Sequence, residues 1–462
     1  VGVHILFLVL YVSLSGTIDA VTMSGLLIAH CFVNLSMDII RKDKRGVYIM
    51  TTYNIGILLT TFANLSYINN IYTFGLSENS MYKYIIIEYI EQATLIWVIG
   101  NASIFFGYEL FSKNSLPSIS IEIKNRNIID KYFNYIIGFA LISLSGNIIN
   151  FSFISGGIQK VLGLFSVMGI LFYARLWGKE GIVKYRNYAV LLAVLQTITA
   201  LYNSFLRIDL LTPSIIYYGG YFVGKGSLKS VLSAKIIPPL LILIIFSQFF
   251  NTLAGNRAHF IDTFRSSGND YETQNSYADL SEDKNSRGGL LERSSNIAQI
   301  TNVVDLVERK GLYLGEASAP LVAALVPRFL WPDKPQIQLG SWFALEIGAA
   351  TVSDITGRAN NSINMTVPGE LYLDFGWIGV VLGGLLFGGL VAMFWNSTKF
   401  NESAYNITGA LWGGYLLLFA LFGIGADLQI AVTLLSTYLT FFLIKKLARS
   451  YEGILSRTSV AR

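Results

Sequence analysis

The sequence predicts an all-α polytopic membrane protein of about twelve transmembrane helices, with one large external loop ahead of the last three. Three observations carry that expectation. The chain is 53% hydrophobic and only 14% charged, its mean hydropathy is +0.52, and apolar runs of span length recur along it. Soluble domains carry about a quarter of charged residues. The net charge of +5 is too mild a bias to point to a nucleic-acid partner. A single cysteine, Cys31, lies inside an apolar run and excludes an intramolecular disulfide.

Taken in order, the apolar runs cover residues 1–16, 20–40, 46–66, 84–112, 132–150, 158–176, 187–206, 208–224, 236–254, 371–395, 405–424 and 427–444. The first is short. No basic residue precedes Arg41, so the positive n-region of a cleaved signal peptide is missing. The runs on either side of Arg207 read either as two helices or as one helix with a break. Residues 1–254 thus hold about nine helices, 255–366 form the loop, and 367–462 hold about three helices and a tail.

Lysine and arginine collect in cytoplasmic connections, which orients the chain. With both termini inside, twenty-one basic residues fall in inside segments, and the short outside connections hold only Lys83, Lys160 and Arg207. The other ten lie in residues 255–366. This split places Arg207 and the long loop on the same, external side.

A connection of that length is functional or unstructured. Residues 265–293 are rich in Ser, Asn, Asp and Gly and read as loop. In "NIAQITNVVDLVERK", Ile297, Ile300, Val303, Val304 and Val307 recur at helical spacing, so a short amphipathic helix is expected, lying on the membrane surface. The apolar run from Ala317 to Trp331 is too short for an upright span and reads as re-entrant or interfacial. It ends in "VPRFLWPDKP", where Pro327, Pro332 and Pro335 break helical geometry. Phe329 and Trp331 favour the headgroup level. Arg328 is thereby held near the outer membrane surface, either to bind a lipid diphosphate or to anchor the segment by snorkelling.

Other chemistry is sparse. No Asp-x-Asp pair, Walker loop, His-x-x-x-His or Cys-x-x-Cys pattern occurs, which points away from a dedicated metal site. His4, His30 and His259 are scattered, and only His259 is expected outside. Glu88 and Glu91 share a face near the external end of the fourth span, to line a cavity or to meet Lys83. Pro368 and Gly369 announce the tenth span, with Glu370 and Asp374 four apart on its outermost turn. A carboxylate there is favoured by the helix dipole alone. It is also placed for acid–base work.

The segments "PRFLWPDKP", "PGELYLDFGWIG" and "NSFLRIDLL" resemble the O-antigen polymerase family of bacterial inner membranes, the oligosaccharide repeat unit polymerases. The likeness extends loosely over the chain as many spans with one large external loop before the last three. Some members carry paired Arg-x10-Gly motifs, whereas here Arg207 to Gly219 and Arg328 to Gly340 each enclose eleven residues. The resemblance implies a glycosyltransferase-type polymerase of undecaprenyl-diphosphate-linked repeat units, acting on the periplasmic side of the inner membrane. Its donor and acceptor are lipid-linked glycans, with membrane lipids, a chain-length regulator and a flippase as further partners, and no cofactor. The leaving diphosphate needs its charge stabilised, and without metal an always-charged, bidentate guanidinium suits that task. Arg207 and Arg328 come first and Arg293 third. Glu370 would orient or deprotonate the acceptor hydroxyl, with Asp374 and His259 as substitutes. Two rivals share the broad pattern: an O-antigen ligase-like transferase, and a flippase or transporter of lipid-linked oligosaccharides.

Overall fold

A computed structural model of the protein describes residues 2–40, 47–74, 85–123, 127–149, 156–203, 207–225, 295–324, 331, 339–352, 359, 362–400, 402–410, 413, 428 and most of 430–446. These are mostly helical, with no strand among them and only the isolated bridges Glu122 to Asn406 and Val352 to Ala359. In chain order they are α1 (Gly2–Leu14), α2 (Ala20–Ile40), α3 (Val47–Phe74), α4 (Ile90–Leu110), α5 (Asn127–Ile149), α6 (Gly156–Glu180), α7 (Val183–Asn203) and α8 (Arg207–Lys225). Then follow α9 (Ile297–Lys310), α10 (Ala319–Ala324), α11 (Leu339–Glu346), α12 (Val367–Ile378), a π-helical turn (Gly379–Gly383) and α13 (Gly384–Ser397). By length and composition, Ala20–Asp38, Ile87–Leu110 and Val367–Ser397 are each long and apolar enough to cross a membrane, and a shorter apolar helix occupies Ile430–Leu443. The expected span at 236–254 and most of that at 405–424 lie outside the described residues.

The bundle is built around α4. Of its apolar window 78% is buried, against 39% for that of α2, because α1, α2, α9, α12 and α13 all pack on it. Lipid is as apolar as leucine, so helices in a bilayer associate through close backbone approach and polar contacts. Both are present. A Cβ at Gly107 would come within 2.0 Å of the Leu385 carbonyl oxygen, and one at Gly388 within 2.1 Å of that of Ile104. Across α3 and α4, Trp97 Nε1 donates to Thr61 Oγ1 at 3.2 Å and the Tyr53 hydroxyl to Asn101 Oδ1 at 2.9 Å.

These contacts set directions. Gly384 abuts Gly100 and Ser103 while Gly388 abuts Ile104 and Tyr108, so α13 runs parallel to α4. Gly220 likewise meets Leu171 and Ala174, and Gly224 meets Arg175 and Gly178, so α8 runs parallel to α6. Since α7 returns between them, α7 and α8 are two antiparallel helices and not one broken helix. The starts of α4, α6, α8 and α13 therefore share one end of the bundle, here called the loop end because residues 295–318 and 339–352 pack there. At the opposite end, Ile119 N donates to Ser397 O at 3.1 Å, Ile123 N to Tyr405 O at 3.1 Å, and Lys445 Nζ to Ser118 O at 2.7 Å.

The tenth span departs from its expectation. As one straight helix, Val367–Ser397 would be about 46 Å long, well beyond a hydrocarbon core of about 30 Å. It is broken at Gly376, whose φ of 59° and ψ of −146° are closed to residues with a side chain. Beyond the break the chain folds back: a Cβ at Gly379 would lie 2.2 Å from the Leu371 carbonyl oxygen, and one at Gly383 2.5 Å from Leu371 Cδ2. Pro368 then packs on Gly100, the residue that Gly384 also abuts. Residues 367–375 are thus a half-helix beside the span proper, which starts at Trp377 and is about 31 Å long. Phe375, Trp377 and Ile378 are exposed at the turn, as suits a headgroup-level hairpin.

The expected amphipathic helix forms as α9, ended by Gly311 at φ 81°, whose N–H donates to Val307 O at 2.7 Å. Its apolar face is not left free for a membrane surface. Ile297, Ile300, Val303, Val304 and Leu306 are buried, and α9 packs on α4 and α12. Its apolar face is covered by protein because the half-helix, with Gly369 close to Ile300 and Val303, offers a complementary one.

Candidate functional site

Glu370 stands in the first turn of the half-helix, whose start is capped by Thr366 accepting from Gly369 N at 3.3 Å. The sequence places it on an exposed outermost turn. The fold-back reverses that: the half-helix begins inside the bundle and rises to the turn at Gly376, so Glu370 lies about 8 Å below the turn along the axis. It is only 2% exposed, and Oε2 accepts from Leu428 N at 2.8 Å. Nearby, Gln92 Nε2 on α4 donates to the Tyr372 hydroxyl at 2.7 Å, tying the half-helix to the central post.

Asp374, one turn on, is in a different state. Its Oδ1 accepts from Gly315 N and Ala317 N at 3.2 Å each, and its Oδ2 from Ser318 N at 3.2 Å and from the Ser318 hydroxyl. A carboxylate offers about four lone-pair sites. All four are taken, so the side chain expected as a substitute base has no oxygen left for an acceptor hydroxyl.

Arg207 opens α8 at the loop end, the same end as α9 and the half-helix. Arg328, Arg293 and His259 lie outside the described residues. α10 ends four residues before Arg328, and Trp331 is exposed. Of the glycines paired with the arginines, Gly340 is a point of close approach: a Cβ there would meet Ser362 Oγ at 2.6 Å, and Gly340 O accepts from Ile363 N at 3.0 Å. Gly219 has open space. Glu88 and Glu91 are exposed at the start of α4. At the loop end Arg309 is paired with Asp305 at 2.6 Å and Lys310 with Glu346, and each hydrogen-bonded carboxylate raises its partner's pKa.

One cluster is absent from the sequence reading. His4 and His30, expected to be scattered, touch: His4 Nδ1 is 3.0 Å from His30 Nε2, and the Tyr11 hydroxyl is 3.2 Å from His30 Nδ1. Phe7 stacks on His30 at 4.1 Å. The signal was present, since both histidines are thirteen residues from Thr17 in the short α1–α2 turn, and residues equidistant from an antiparallel turn face each other. A shallow apolar groove between α3, α4 and α13, lined by Ile49, Tyr53, Ile104, Tyr108, Phe387 and Gly388, lies toward the opposite end, away from Glu370.

Comparison with protein-family models, with curated proteins and with solved structures gives no match to this chain.

Proposed function

We propose that the chain is a polytopic glycosyltransferase of the bacterial inner membrane that polymerises undecaprenyl-diphosphate-linked oligosaccharide repeat units for a surface polysaccharide. It has about twelve spans, cytoplasmic termini and a periplasmic loop over residues 255–366. The observation that carries this reading is Glu370, a carboxylate set inside the bundle on a folded-back half-helix. Arg207 opens a helix at the same end, and the proline-bracketed Arg328 follows α10 in sequence. The orientation is supported by Lys113, Lys179, Lys184, Arg186, Lys399 and Lys445, which gather at the opposite end.

Arginines clamp the donor diphosphate and stabilise the charge that develops as the anomeric C–O bond breaks. Glu370 orients the acceptor hydroxyl and takes its proton. Transfer leaves undecaprenyl diphosphate and a glycan longer by one repeat unit.

A broken helix around a buried carboxylate is also the hallmark of transporters, which keeps a flippase of the same lipid-linked glycans as the second reading. Purified protein in liposomes, supplied with lipid-diphosphate repeat units, separates the two. Polymerase activity yields a ladder of products, and Arg328→Lys loses most of it because an ammonium cannot bind bidentately. Movement of lipid-linked glycan across the bilayer with no ladder would establish the transporter, and a single transfer restricted to a lipid A core acceptor the ligase.

A further inference from the structure

Asp374 is the side chain whose surroundings most exceed what the proposed reaction uses. It is fully buried on the half-helix, and all its acceptor sites are filled from one short segment, Gly315 to Ser318. That segment is strained where it meets the half-helix. Leu314 has φ 50°, unusual for a residue with a side chain, and Gly315 has φ 95°. Main-chain bonds continue the contact, with Tyr313 N donating to Leu373 O at 3.1 Å and Leu314 N to Asp374 O at 2.8 Å. The donors Ala317 N and Ser318 N belong to the residues just before α10, so the Asp374 carboxylate holds the backbone that leads into that helix. The stretch "VPRFLWPDKP" starts two residues after α10 ends.

We infer that Asp374 is a positioning residue: through its four hydrogen bonds to residues 315–318 it fixes that segment and the start of α10 on the half-helix that carries Glu370, one turn away. This deepens the polymerase reading and rests on it for its catalytic consequence. The mount itself rests only on the hydrogen bonds. Asparagine cannot replace the carboxylate, because its amide nitrogen would face Ser318 N–H donor to donor.

The test uses a cysteine at Leu321, buried on α10, in the full-length protein; native Cys31 is buried and gives no background. Thiol labelling should be slow in the Leu321→Cys parent and at least about tenfold faster with Asp374→Asn, whereas Ser318→Ala, which removes one donor of four, should fall between. If Asp374→Asn does not fold, the Ser318→Ala arm still decides. Unchanged labelling in every folded variant would overturn the mount. In the elongation assay, Asp374→Asn should keep donor binding and lose turnover on the order of 100-fold, the effect of about 1 Å of misplacement. Its pH profile should keep the wild-type shape, because no catalytic proton is removed. Loss of one ionisation from that profile would make Asp374 a base and overturn the inference. If the wild-type protein elongates nothing, the polymerase reading falls while the labelling arm still decides the mount.

Discussion

Glu370 and Asp374 are one helical turn apart, yet they are held from different parts of the chain: Glu370 Oε2 accepts from Leu428 N, while Asp374 is saturated by four donors from residues 315–318. Spacing alone cannot tell them apart, since both share a helical face, and the difference comes from chain elements distant in sequence. Glutamine at position 370 would still accept from Leu428 N through its amide oxygen, so Glu370→Gln keeps that contact and removes the basic oxygen. The expected outcome is normal donor binding with elongation lost, measured on the same purified sample. Near-normal elongation would reduce Glu370 to a fastening for the C-terminal helix. The buried imidazoles make a second residue-scale prediction. A lone histidine left in that apolar setting loses a partner at a cost of about 1–3 kcal/mol, whereas removing both polar groups is milder. His4→Phe and His30→Phe should each lower the unfolding midpoint, and the double variant should lower it by less than the sum. Strict additivity would deny the contact.

At the scale of elements, helices were legible where composition and start or stop signals agreed. Pro368 and Gly369 do open a helix, the helical spacing from Ile297 to Val307 does form α9, and of the two readings around Arg207 the structure has two separate helices, α7 and α8. The fold-back was not legible. In "GELYLDFGWIGVVLGG" the apolar residues run past Asp374 without a break signal, and glycine is common in membrane helices, so nothing in composition marks Gly376 as the one at φ 59°. The burial of α9 was hidden for a related reason, because an amphipathic face fits a protein surface and a membrane surface equally well. Glycine substitutions separate the roles. Gly376→Ala forces a side chain into a glycine-only conformation, at about 1–3 kcal/mol, and Gly388→Ala drives a Cβ into the Ile104 carbonyl. Both should lower the unfolding midpoint by several degrees. Gly25→Ala, where a Cβ meets nothing within 4 Å, should not. Equal effects at the three positions would argue against the hairpin and the α4–α13 contact together.

For the whole molecule, the alternation of helices puts Glu316 and Ser115 at opposite ends of the bundle, and both are exposed. With Cys31 buried, single cysteines at these positions can be read against a silent background. In intact spheroplasts an impermeant thiol reagent should label Glu316→Cys at once and Ser115→Cys only after lysis. The reverse pattern would invert the orientation drawn from the basic residues. The helical character and the apolar helices long enough to cross a membrane were legible in sequence, because run length and hydropathy are properties of composition. The depth of the site was not, since it depends on which helix breaks and where. The proposed chemistry is the formation of a glycosidic bond by arginines and a buried carboxylate. Its most direct test is elongation of lipid-diphosphate repeat units by the purified protein with chelator present throughout. Folded wild-type protein should give a product ladder unchanged by the chelator. A ladder abolished by chelation and restored by magnesium or manganese, or no ladder from folded protein, would contradict it.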